Sequence, residues 1–281
     1  VTTAGLYLLH VRSRVGTKTL GMNVVVKSGA LLHAATLLLA LLVWREFPSV
    51  TVAIAWAALS LALFEFSILT GEATLRRQSH LLMLAAFGRL FMAHFITPGE
   101  ALGISHRVIT VTPIIVTLYY LRARMQEVLP VAASIPSKFY LLRERDFGAS
   151  LYAWAAAILL VVLLRFEVGR AYAVAAWAPV FVAFLVLGLK WDNRDFRFQS
   201  YLIAILLFAR SLSTNAFLVG TLFGLPERLV TSTPAIGAFL FAVFQVPRWT
   251  GKHEPTSESR IIRLLEFLES HARSTFTLLF S

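Results

Sequence analysis

Eight long apolar runs alternate with short polar breaks along the chain. They cover about Gly29–Trp44, Val50–Thr70, Leu75–Thr97, Val108–Leu121, Gly148–Leu164, Ala171–Leu189, Phe198–Phe223 and Leu229–Val246. A helix needs about 20 residues to cross a hydrocarbon layer roughly 30 Å thick. Most of the runs reach that length with their flanks, so the pattern predicts eight spanning helices. A partial run stands at each end, Val1–Leu9 and Ser274–Ser281. The breaks are short: Arg45-Glu46-Phe47-Pro48, Gly71-Glu72-Ala73-Thr74 and Pro98-Gly99-Glu100. A longer mixed connection, Arg122–Phe147, carries Pro130 and Pro136.

The runs repeat. Trp56 is echoed by Trp177, Arg76 by Arg197, Gln78-Ser79 by Gln199-Ser200, Arg89 by Arg210, and Arg107 with Thr112-Pro113 by Arg228 with Thr233-Pro234. From Trp56 onward these pairs stand a constant 121 residues apart. Upstream, Gly29-Ala30-Leu31-Leu32-His33 echoes Gly148-Ala149-Ser150-Leu151-Tyr152. The pattern predicts an all-α polytopic membrane protein of tandem four-helix repeats. Residues 1–14 are expected to end a preceding repeat. Residues 15–124 and 125–250 form two complete ones, and 251–281 a connecting segment and the start of another. The chain is thus expected to be part of a longer polypeptide. Within the last stretch, Ile261, Ile262, Leu264, Leu265 and Leu268 have helical spacing, which predicts a short amphipathic helix.

Composition sharpens this picture. Hydrophobic residues make up 58%, charged residues only 15%, mean hydropathy is +0.73, and there is no Cys. That excludes a disulfide scaffold and any Cys-ligated site, and argues against a soluble domain. The net charge of +11 would elsewhere raise the question of nucleic acid. Here the basic residues punctuate apolar runs, so no nucleic-acid partner is expected. With alternating helices, 19 basic residues gather on one face and five on the other. The positive-inside rule places the first face in the cytoplasm. Four helices per repeat is an even number, so successive repeats are expected to be parallel.

Two basic residues, Arg89 and Arg210, fall inside runs. A guanidinium within a bilayer is costly and usually faces protein or an aqueous cavity. Gln78 and Gln199 precede them by eleven residues, close to three helical turns. His94 and Asn215 follow by five. These six residues are the candidate ligand-binding stripe, suited to an anion or a lipid head group. The competing reading is structural, with the arginines snorkelling or bonding to carbonyls of a neighbouring helix. Glu65 is the one acid well inside a run, and its depth argues against pairing with Arg89. Val186 stands at its place in the second repeat. Trp56 and Trp177 read as belt residues or interhelical wedges, and Pro113 and Pro234 as kinks or first-turn residues. No nucleotide, metalloprotease or nucleophile-elbow motif is present, the seven His do not cluster, and no catalytic residue, metal or cofactor is expected.

Tandem four-helix units with a Trp in the second helix, an Arg inside the third and an Arg-x4-Thr-Pro type opening to the fourth resemble the large bacterial membrane proteins of domain of unknown function 2339. The resemblance implies a multi-pass inner-membrane protein with more helices than these, and brings no catalytic residues. The expected partners are the lipid bilayer and other repeats of the same polypeptide. The expected role is a transporter-like or scaffold protein handling an anionic or lipid-like ligand. The alternative is a membrane enzyme of the lipid-linked sugar transferase type, with its catalytic residues elsewhere.

Overall fold

The computed structural model describes residues 22–49, 51–94, 99–101, 104–128, 138–222 and 224–250. The terminal segments read as parts of further repeats, and the amphipathic stretch 257–269, lie outside the described residues. The chain is mostly helical: α1 (Met22–Glu46), α2 (Val52–Thr70), α3 (Ala73–Arg89), α4 (His106–Val128), α5 (Lys138–Glu167), α6 (Gly169–Lys190), α7 (Arg194–Ser213) and α8 (Glu227–Thr250). Two small antiparallel hairpins join helices. In one, β1 (Glu100–Ala101) pairs with β2 (Ile104–Ser105). In the other, β3 (Thr221–Leu222) pairs with β4 (Leu225–Pro226).

Six helices, α2 and α4 to α8, contain stretches long and apolar enough to cross a membrane. This is the architecture of a multi-pass helical membrane protein. The apolar run Leu75–Thr97 differs from the expected continuous span. Its regular α-helix stops at Arg89 and passes into a π-turn over Leu90–His94. The mixed connection is also shorter than its composition predicts, because α4 runs on to Val128 and α5 begins at Lys138.

Two compact units divide the chain, Val1–Ala156 and Ala157–Ser281, with the division inside α5. In the first, α2 and α3 approach through small side chains. The Ser60 hydroxyl donates to the Ser79 carbonyl at 2.8 Å, and both serines are fully buried. Small residues let helix backbones come close where lipid supplies no hydrophobic drive. Val111, Ile114, Leu118 and Leu121 of α4 are buried in the same unit. In the second unit α6 packs on α7 and α8, with Phe181 against Phe239 and Phe184 against Phe196, each at 5.6 Å between rings.

Polarity runs inside-out in both units. Ser60, Gln78, Ser79, Thr110, Gln199, Ser200 and Thr231 are buried, while Leu81, Leu84, Val116, Ile205 and Leu240 are exposed in mid-helix. Such leucines cost free energy in water and none in hydrocarbon, which is the physical reason a bilayer suits this surface.

The helix ends follow local chemistry. α2 stops where Gly71 takes a left-handed conformation (φ 70°), and the Glu72 N–H bonds to the Ser67 carbonyl. α6 stops at Asp192, also left-handed (φ 47°), and the Asn193 N–H bonds to the Gly188 carbonyl. The Asn193 side chain then caps α7 by accepting from the Phe196 N–H.

Candidate functional site

In the first unit the end of α1, the start of α2 and the end of α3 meet. Trp56 lies in the second turn of α2. Its indole N–H donates to the Ala40 carbonyl of α1 at 3.0 Å, so it is an interhelical tie rather than a belt residue. Trp44, in the last turn of α1, packs on it with ring centroids 5.5 Å apart. Arg89, the last residue of α3, lays its guanidinium over this pair, 4.4 Å from the Trp44 ring and 6.0 Å from that of Trp56. Its Nη2 donates to the Ser49 carbonyl at a long 3.5 Å, and its Nε is buried with no acceptor among the described residues. None of the ion pairs found among the described residues involves Arg89. Trp faces hold a cation by their quadrupole, worth about 0.5–2 kcal/mol depending on desolvation.

Gln78 of the expected stripe does not join Arg89. Gln78 lies roughly 16 Å along the helix axis at 1.5 Å per residue. It is 4% exposed, and its carbonyl accepts from the Thr36 hydroxyl at 2.6 Å. Gln199 is 1% exposed in the second unit, and neither atom of its carboxamide has a partner among the described residues. Ala157 stands 121 residues after Thr36, so the hydroxyl that serves Gln78 is missing at that position. Asn215 is fully buried in the 3-10 turn Asn215–Phe217, and its Nδ2 donates to the Ala171 carbonyl at 3.0 Å, tying α7 to the start of α6. Arg210 is half-buried near the end of α7. The His94 side chain lies outside what the structure describes.

Two polar clusters escaped the sequence reading. The first is built on Glu65. Both its oxygens receive Arg124 of α4, Oε1 from Nε at 3.1 Å and Oε2 from Nη2 at 3.2 Å, and Tyr120 donates to Oε1 at 2.9 Å. Tyr120 and Arg124 are one helical turn apart on α4, a spacing that offered a signal. The second cluster joins α3 to α5: His80 Nδ1 is hydrogen-bonded to the Tyr152 hydroxyl, with the rings 5.6 Å apart.

No family model matches the chain, and neither a curated protein nor a solved structure matches it. The resemblance to the domain 2339 proteins therefore stands on the sequence features alone.

Proposed function

We propose that the chain is an inner-membrane, multi-pass protein built from two parallel copies of one four-helix unit, and that it serves as a transporter-like or scaffold assembly handling an anionic or lipid-like ligand. What supports the repeat is that hydrogen bonds, not only residues, recur at a spacing of 121. Trp56 to the Ala40 carbonyl is matched by Trp177 to the Val161 carbonyl at 2.9 Å. His106 N–H to the Gly99 carbonyl is matched by Glu227 N–H to the Gly220 carbonyl, each at 2.9 Å. Thr110 bonds to the carbonyls of His106 and Arg107, and Thr231 to those of Glu227 and Arg228. The left-handed residues Gly71 and Asp192, and both hairpins, keep the same interval.

The same register carries back into the first helix. Leu32, Ala35 and Thr36 then correspond to Ala153, Ala156 and Ala157, and all six are buried. The Gly29–Gly148 echo is two residues out of this register. The ligand reading rests on Arg89, a cation at the end of α3 held by two Trp faces. The resemblance to domain 2339 proteins favours a bacterial inner membrane.

Orientation follows from the basic loops. Single Cys substitutions at Arg76 and Glu100 in intact spheroplasts test it. An impermeant thiol reagent is expected to reach position 100 and not position 76. Labelling at 76 alone would reverse the orientation.

A further inference from the structure

We infer that Arg89 and Trp44 form a binding site for the phosphate head group of an anionic phospholipid, with the acyl chain lying along α1. The inference rests on the membrane reading above. The chemistry of the head-group end is that of Arg89. A guanidinium presents five N–H donors in a planar fork that matches phosphate. Among the described residues the guanidinium makes one long bond to protein, from Nη2 to the Ser49 carbonyl. The guanidinium carbon lies 4.4 Å from the Trp44 ring centroid and 6.0 Å from that of Trp56, and a ring face meets a cation without taking up its N–H donors.

The acyl end is α1 itself. Leu37, Leu41 and Trp44 follow the i, i+4, i+7 spacing of one helix face, and they are 62%, 55% and 53% exposed. This stripe is about 10 Å long at 1.5 Å per residue and leads to the guanidinium. Leu38 and Leu42 widen it. Charge and apolar surface are thus contiguous and arranged as in a phospholipid: one anion-seeking group, then hydrocarbon. Trp at that junction suits the interface, where an amphipathic ring sits at head-group level. The arrangement belongs to the first unit. The position of Trp44 is held by Arg165 in the second, so the ring platform is not repeated there.

Native mass spectrometry of the purified chain, titrated with phosphatidylglycerol or phosphatidylcholine, tests the site. The wild type is expected to retain phosphatidylglycerol preferentially. Arg89→Gln and Arg89→Lys should each weaken that retention about tenfold, the scale of one charge-assisted hydrogen bond. Lys keeps the charge and loses the fork. Arg45→Gln removes the same charge from an exposed place on the same helix end, and should leave retention unchanged. If Arg89→Gln fails to fold, Arg89→Lys carries the comparison.

Equal retention of both lipids, or equal loss in the Arg45 and Arg89 variants, would overturn the inference. So would millimolar inorganic phosphate abolishing lipid retention in an Arg89-dependent way, because the ligand would then be a free anion. A lipid-free dimer burying this face would overturn it as well. Failure of the wild type to enter nanodiscs at all would instead count against the membrane reading.

Discussion

Glu65, Tyr120 and Arg124 show how much one residue's meaning depends on its partners. In the second unit the corresponding positions hold Val186, Phe241 and Gln245, so the acid, the phenol and the guanidinium are all absent together. A charge pair and an apolar replacement are each self-consistent, whereas half a pair leaves a partly exposed ion without its counter-charge. Glu65→Val alone should therefore lower the melting temperature in detergent by several degrees, because Arg124 keeps only Glu127, at 2.9 Å on its own helix. The triple variant Glu65→Val/Tyr120→Phe/Arg124→Gln should recover most of that loss. A triple variant less stable than the single one would show that the three do not act as a unit. Val186 was visible in the sequence. What hid the partnership was Arg124, which charge counting assigns to a loop, although α4 runs past it to Val128. Arg89 and the buried Gln78 and Gln199 were legible as unusual residues in apolar runs. Their separation was not, since an eleven-residue interval fixes a shared face but says nothing of depth or of a neighbour such as Thr36.

At the level of elements, hydropathy located the helices and misjudged their ends. It reads Leu75–Thr97 as a single span because apolar content does not distinguish an α-turn from a π-turn, and the break comes at Leu90. The two hairpins are too short to leave a period-two pattern. Their sequence mark is a Gly seven residues before the next helix, Gly99 and Gly220, where an added Cβ would press within 2.7 Å on the side chains of His106 and Glu227. The turn between α6 and α7 is tighter. A Cβ on Gly188 would sit 2.7 Å from the backbone nitrogen of Arg197, and backbone cannot rotate away as a side chain can. Gly188→Ala is expected to destabilise by about 1–3 kcal/mol, the usual scale of overpacking. Gly237→Ala, with nothing within 4 Å of the new methyl, is the control and should be neutral or slightly stabilising in mid-helix. Equal thermal stability of the two variants would show that the close approach at Gly188 is not maintained.

For the molecule as a whole, the account turns on direction. In the proposed unit, four membrane crossings would lie between any position and its partner 121 residues on, so both copies should enter the bilayer from the same side. The basic-residue count supports that arrangement. The Trp56 and Trp177 bonds recur at the same interval of 121, and direction is read by a measurement in a membrane. The chain has no native Cys, so single substitutions report cleanly. The decisive measurement is the accessibility of four single-Cys variants, at Glu72, Asn193, Glu100 and Thr221, to an impermeant thiol reagent in sealed, oriented proteoliposomes. Positions 72 and 193 are predicted to label from one side, and 100 and 221 from the other. Labelling of 72 and 193 from opposite sides would contradict the parallel four-helix unit.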